Sequence, residues 1–129
     1  MLKYVAFAIP VLFLAYVEGF LNPFWLWNSL PFGLGLGLLD RAKKNGKSPL
    51  PAIGFSIGAG IVSLFVHCAW LFDWAEMATG RSTSGLIFVV LPLWSLIPGA
   101  LGYAIGRVID LHRSWQQMGR NMARRPTRR

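Results

Sequence analysis

Apolar positions along the chain are grouped into long blocks that short polar stretches separate. The blocks cover residues 4–21, 23–39, 52–73 and 86–107. The third block has an uninterrupted uncharged core of about twenty residues, which at about 1.5 Å per helical residue matches the hydrocarbon thickness of a bilayer. The pattern therefore predicts an all-α membrane protein with four transmembrane helices.

The pattern changes after Arg107. Apolar residues recur every three or four positions from Val108 to Met122, while basic and amide side chains occupy the other faces. This spacing predicts a basic amphipathic helix lying along the membrane surface, followed by a disordered, arginine-rich end. We therefore divide the chain into a transmembrane domain at 1–110 and a cytoplasmic tail at 111–129.

The second block is the shortest predicted crossing, and it contains Pro31 and several glycines. It could instead be re-entrant, which would place the N-terminus outside. Four crossings with an internal N-terminus put all of the 13 Lys and Arg residues except Arg81 on the cytoplasmic side, whereas the alternative additionally misplaces only Lys3. We expect a multi-pass protein of the cell inner membrane with both termini cytoplasmic.

Composition excludes a soluble domain and gives the charges a role. The chain is 54% hydrophobic and 14% charged with a net charge of +8, and its mean hydropathy is +0.48. Basic residues in such a chain orient it and contact anionic lipid, so no nucleic-acid partner is expected. The residues expected at anionic lipid are Arg41, Lys43, Lys44, Lys47, Arg107, Arg113 and Arg120.

Small residues form a stripe on the third block and another on the fourth. Ser56, Gly60 and Ser63 in the third block, and Ser95, Gly99, Gly102 and Gly106 in the fourth, recur at steps of three and four, so each of these stripes lies on one helix face. Gly54 and Gly58 add a G-x-x-x-G pair. Small side chains at such positions allow close approach of two backbones. We predict a tight antiparallel pair whose packing residues are Gly54, Ser56, Gly58, Gly60, Ser63, Ser95, Gly99, Gly102 and Gly106.

The second and fourth blocks also match each other weakly. At an offset of 67 residues, Leu26-Trp27 aligns with Leu93-Trp94, Pro31 with Pro98, and Gly35 with Gly102. The fold could therefore be a duplicated helical hairpin, although these residue types are common in membrane helices generally.

Among ionisable side chains, His67 is the one placed well inside a predicted crossing, so it is a candidate for a polar path. Neither Asp73 nor Glu76 shares its helical face, which favours a neutral histidine bonded to a neighbouring backbone or hydroxyl group. Glu18, Asp73 and Glu76 are expected to form an acidic rim at the outer border.

The sequence contains no catalytic motif and no nucleotide loop, and its single cysteine, Cys68, has no partner for a disulfide. We expect neither an enzyme nor a bound metal or cofactor. A headgroup site built from Arg107, Asp110, His112 and Arg113 is a further alternative.

Two functions remain open. The chain could act by helix packing, as an accessory, assembly, inhibitory or immunity subunit that binds another membrane protein. Alternatively, it could form a small homo-oligomeric transporter or channel for a cation or small solute. The first is favoured because a polar path should need more polar side chains than the crossings provide.

Overall fold

The computed structural model describes residues 2–80 and 84–123, which fold mainly into helices and contain no strand. The helices are α1 (Leu2–Glu18), α2 (Phe24–Asn28), α3 (Leu30–Lys44), α4 (Leu50–Leu71) and α5 (Ile87–Ala123), with short 3₁₀ turns at Trp74–Glu76 and Ser84–Leu86. The predicted all-α class is confirmed for this part of the chain.

Within the described ranges, two helices are long and apolar enough to cross a membrane. They are α4, over Leu50–Leu71, and α5, over Ile87–Arg120, whereas the apolar part of α1 is shorter. Length and composition thus support two of the four predicted crossings. The other two need a separate argument.

The second predicted crossing differs from expectation within the segment and at its C-terminal end. It is divided at Ser29 into α2 and α3, and α3 continues to Lys44 through residues that the sequence indicated as a loop. The division is slight, because Ser29 keeps helical angles (φ −77°, ψ −13°) and accepts a hydrogen bond from the Gly33 amide. The connection to α4 is therefore only residues 45–49.

The surface helix predicted from Val108 to Met122 is not a separate element. Helix α5 continues through residue 110 to Ala123, and the stretch from Leu111 to Arg120 is exposed on every face. No proline or glycine lies between Gly106 and Gly119 to interrupt the helix. The predicted disordered end at 124–129 and the lone external cation Arg81 lie outside the described residues.

Helix α4 is the element against which α1, α3 and α5 pack. Helix α1 runs parallel to it, since Phe7 lies near Ser56 at a shared contact with Gly35, while Glu18 reaches His67. Helices α3 and α5 run antiparallel to α4. We call the end where α1 and α4 finish the aromatic end, and the end carrying residues 41–50 the basic end.

The backbones of α4 and α5 approach each other most closely at glycines. A Cβ atom on Gly54 would overlap the Gly102 carbonyl, and one on Gly58 would overlap the Pro98 carbonyl. At the basic end, a Cβ on Gly106 would lie 2.5 Å from the Leu50 carbonyl oxygen. Any side chain at these positions would have to separate the two helices.

The distribution of polar and apolar side chains is the reverse of that in a soluble protein. Ile57, Ile61 and Phe65 are exposed along the outer face of α4, whereas Ser63 and His67 on its inner face are buried. Only 28% of the most apolar stretch of α5 is buried. Such an exterior is stable in lipid but would be an extensive apolar surface in water.

Candidate functional site

The centre of the candidate site is a hydrogen bond between α1 and α4. His67 Nε2 lies 2.7 Å from Glu18 Oε1, and the two side chains are 0% and 2% exposed. The other ring nitrogen, Nδ1, lies 2.7 Å from the Ser63 carbonyl oxygen. A carboxyl and an imidazole are thus held together within the buried face of α4.

This geometry specifies where a proton lies. A carbonyl oxygen only accepts, so Nδ1 must carry a hydrogen and donate it to Ser63. Nε2 then either accepts a proton from the Glu18 carboxyl or carries one itself. In both cases one proton lies between Nε2 and Oε1, because without it two lone pairs would face each other at 2.7 Å.

Local structure explains why the two groups meet. Glu18 is the last residue of α1 and His67 lies one turn before the end of α4, so parallel packing brings them to the same depth. The imidazole is fixed from below by the Ser63 carbonyl, one turn earlier. From the side it is covered by the Phe88 ring, whose centroid is 5.0 Å away.

Further polar groups are buried below this pair. Asn28 and Ser63 are each 1% exposed, and neither the Asn28 amide nor the Ser63 hydroxyl has a hydrogen-bond partner among the described residues. The Phe32 ring lies over Gly60, so Asn28, one turn earlier on an antiparallel helix, reaches the depth of Ser63. Ser95 is also buried, and its hydroxyl donates to the Pro92 carbonyl at 2.8 Å.

A cavity of about 400 Å³ opens beside Glu18 at the aromatic end. Glu18 is the one ionisable side chain among the described residues that line it, and its second carboxyl oxygen, Oε2, is buried without a partner there. The remaining lining residues are Val17, Asn22, Phe24, Trp70, Gly85, Leu86, Phe88 and Val89.

The predicted acidic rim does not form one surface. Glu18 is buried against His67, whereas Asp73 closes a loop after α4 by accepting hydrogen bonds from the Ala78 amide and the Thr79 hydroxyl, at 2.8 and 2.6 Å. Glu76 is exposed within that loop, where Asp73, Ala75 and Glu76 all have positive φ. Such backbone is strained for residues other than glycine.

The hydrogen bonds to Asp73 have an electrostatic consequence. The Thr79 hydroxyl and the Ala78 amide stabilise the charged carboxylate and lower the pKa of Asp73 below its ordinary value of 3.8. Asp73 therefore acts as an ionised loop cap and lies apart from the His67 site.

Three of the basic residues predicted at lipid converge at the other end of the molecule. Arg41, Lys47 and Arg107 line a cavity of about 260 Å³ together with Tyr103 and Asn45. The other four lie outside this cavity lining and are exposed: Lys43, Lys44, Arg113 and Arg120.

The alternative headgroup set is not brought together around that cavity. Of its four members only Arg107 lines it, and Arg107 also forms an exposed ion pair with Asp110 at 3.4 Å. His112 instead bonds the Gln116 amide at 2.9 Å along α5.

The predicted packing residues fall on two kinds of contact. Gly54, Gly58, Gly102 and Gly106 lie where the backbones of α4 and α5 meet, and Gly99 lies against Phe55. The remaining members lie elsewhere on the buried faces: Ser56 beside Gly35, Gly60 beneath Phe32, and Ser63 and Ser95 among the buried polar groups.

The partner of His67 is the residue that sequence reasoning missed. That reasoning tested only acids on the same helix, and Glu18 is 49 positions away on another one. The available signal was depth, because a first and a third predicted crossing that run parallel would place both residues near the same border.

Within the described ranges, no three His, Cys, Asp or Glu side chains are grouped as metal ligands. No protein-family model, curated protein or solved structure matches the chain. Its function has to be argued from the geometry of the site.

Proposed function

We propose that this chain is a multi-pass protein of the cell inner membrane, with α1, the α2–α3 unit, α4 and α5 as four crossings and both termini cytoplasmic. Residues 24–44 form an almost unbroken helical run, about 30 Å long at the usual helical rise. Parallel α1 and α4 with antiparallel α3 and α5 match this arrangement. The re-entrant alternative would require α1 and α4 to be antiparallel.

Within that membrane, we propose that the chain is a proton-linked carrier of a small solute. The observation that supports this function is the 2.7 Å contact between Glu18 Oε1 and His67 Nε2, two buried side chains from different helices, which requires a shared proton. Ionisable groups are expensive to bury in a bilayer and typically mark proton or substrate pathways. A cavity reaches Glu18 from the aromatic end, which provides an entry for a solute.

Two structural features rank this function above the accessory role that the sequence favoured. Glu18 and Asn28 add polar side chains from α1 and α2 to those of α4 and α5, so the buried polar set is larger than the sequence indicated. The glycines where α4 and α5 meet, which a partner helix could otherwise contact, are also occupied by contacts within the chain.

The test is solute-driven proton movement in reconstituted vesicles. Vesicles with an internal pH dye receive sodium, potassium, methylammonium, tetraphenylphosphonium or a neutral sugar on one side, and we expect at least one of them to change the internal pH. Glu18→Gln should abolish the response, because an amide cannot release the shared proton. Asp110→Asn, which alters an exposed pair near the other end of the protein, should leave it unchanged.

Equal responses from the original protein, Glu18→Gln and empty vesicles for every solute would overturn the carrier function. Infrared spectra of the same samples provide a control for the site itself. A carboxyl or imidazolium band that is present in the original protein and missing in Glu18→Gln identifies the shared proton independently of transport.

One observation favours the accessory role as a second candidate. Gly33 and Gly37 are exposed on α3, and a Cβ on either would have nothing within 4 Å, so this pair is not occupied within the chain. Such pairs allow close approach of a second helix. A stoichiometric second protein recovered with a tagged copy, and lost in a Gly33→Leu, Gly37→Leu variant but not in Gly119→Leu, would support this role. The mass of the complex would distinguish a partner from a homo-oligomer.

A further inference from the structure

The cavity beside Glu18 has a definite chemical character. Three aromatic rings line it, Phe24, Trp70 and Phe88, and the last two pack edge to face with centroids 4.9 Å apart. Its volume of about 400 Å³ falls within the range of small-molecule sites. Apolar walls of this kind exclude strongly hydrated ions and favour a ligand with substantial apolar surface.

The Glu18 carboxyl group, unlike the apolar walls, favours a ligand that carries a positive charge. Oε2 of Glu18 is buried without a protein partner among the described residues, although the side chain lines the cavity. A buried acceptor in this position loses its interaction with water and gains none from the protein. A positively charged ligand would satisfy it, and aromatic faces attract the same charge.

Release of the shared proton allows the site to accept a ligand that is both apolar and positively charged. When it leaves, the Glu18–His67 site gains one negative charge and two lone pairs face each other. A monovalent cation that enters as the proton leaves restores the original charge of the site. Binding and deprotonation are then one exchange, with no other reactant needed.

We infer that this cavity binds a hydrophobic organic monocation in exchange for the proton shared by Glu18 and His67. The inference rests on the proposed carrier function, for which it names the substrate class. It requires a ligand with delocalised or shielded charge, because the rings of Phe24, Trp70 and Phe88 cannot replace a tight hydration shell.

The probe is tetraphenylphosphonium, with tetraphenylborate as an ion of the same shape and opposite charge. Calorimetry on the detergent-solubilised full chain, in two buffers of different ionisation enthalpy, gives both affinity and the number of protons released. We expect one proton per bound cation, an affinity that rises by up to about tenfold per pH unit while the site is protonated, and no specific binding of the borate.

Variants connect the binding to the cavity. Trp70→Leu should weaken cation binding by about tenfold, and Trp70→Phe by less, because loss of a ring face removes a cation–π contact. Glu18→Gln should abolish proton release while retaining the hydrogen bond to His67. Trp115→Leu changes a 71% exposed tryptophan far along α5 and should have no effect. Circular dichroism confirms that each variant is folded.

Equal binding of both ions, or cation binding unchanged by Glu18→Gln and Trp70→Leu, would overturn the inference by indicating partition into detergent. Different results would remove the inferred substrate class and the proposed carrier function. Proton movement with methylammonium or sodium but no phosphonium binding removes only the substrate class. Phosphonium binding with proton release, but without proton movement in vesicles for any solute including phosphonium, removes the carrier function and leaves a binding site.

Discussion

At the scale of single residues, the hydrogen bond between Glu18 and His67 predicts different stabilities for different substitutions of Glu18. The amide of Glu18→Gln can donate to His67 Nε2, so we expect stability within about 1 kcal/mol of the original protein. Glu18→Leu leaves that buried nitrogen unpaired and should cost about 1–3 kcal/mol. Unfolding in detergent, followed by circular dichroism, measures both. Glu76→Gln is the exposed control, and equal stability of the Leu and Gln variants would contradict the assigned hydrogen bond.

The loop that Asp73 closes after α4 is expected to lose stability in acid. The folded-state pKa of Asp73 is lowered by the Thr79 hydroxyl and the Ala78 amide, so the contribution of this residue to loop stability is complete above the ordinary value of 3.8 and is lost as pH falls through the lowered pKa. Protection of the Ala78 and Thr79 amides from hydrogen exchange, corrected for intrinsic rates, should therefore decrease as the pH falls below 3.8. In Asp73→Asn the protection should be lower throughout and independent of this titration. Protection in the original protein that is constant down to pH 2 would refute the prediction.

Residue types at the site could be anticipated from the sequence, but their pairing could not. His67 stood out because an ionisable group in an apolar block is costly, and that argument needs no structure. Glu18 did not stand out because it sits at the end of its block, where acids are usually solvated. Only the parallel packing of α1 on α4 turns this border residue into a buried one.

At the scale of helices, glycines on different faces should respond in opposite ways to the same substitution. In Gly54→Ala the new methyl group would overlap the Gly102 carbonyl, and because backbone cannot move aside easily we expect a loss of about 1–3 kcal/mol. Gly33→Ala meets open space and should be neutral or stabilising by about 0.5–1 kcal/mol, since alanine favours the helix. Unfolding in detergent gives both values, and a stable Gly54→Ala protein would exclude the close α4–α5 contact.

Hydrophobic pattern predicted where the helices are better than where they end. The polar stretch at 40–44 was expected as a loop, yet it continues α3 because Ala, Lys and Arg are good helix formers that polarity alone does not exclude. The division at Ser29 follows from Pro31, whose ring conflicts with the carbonyl of Trp27 four residues earlier. Prolines within α1 and α5 do not divide those helices, so the effect of a proline could not be decided from sequence.

At the scale of the whole molecule, the basic end is expected to retain anionic lipid. Arg41, Lys47 and Arg107 come from α3, the 45–49 connection and α5, and they surround one cavity. The double variant Arg41→Ala, Arg107→Ala should therefore lose co-purifying phosphatidylglycerol or cardiolipin, measured by lipid mass spectrometry. Arg113→Ala, Arg120→Ala removes the same charge from exposed positions and should lose much less. Equal losses would mean that charge near the membrane, rather than the cavity, determines retention.

The proposed four-crossing topology predicts which positions are accessible from each side of the membrane, and single cysteines can test this. With Cys68 replaced by alanine, Leu21→Cys lies on a fully exposed side chain between α1 and α2, Gly85→Cys lies at the aromatic end, and Lys47→Cys lies at the basic end. An impermeant maleimide should modify positions 21 and 85 from the outer side and position 47 only in inverted vesicles. A re-entrant second segment would instead place position 21 on the same side as position 47. Labelling of position 21 from the cytoplasmic side would thus remove the four-crossing topology, which places the aromatic end and the Glu18 cavity on the outer side.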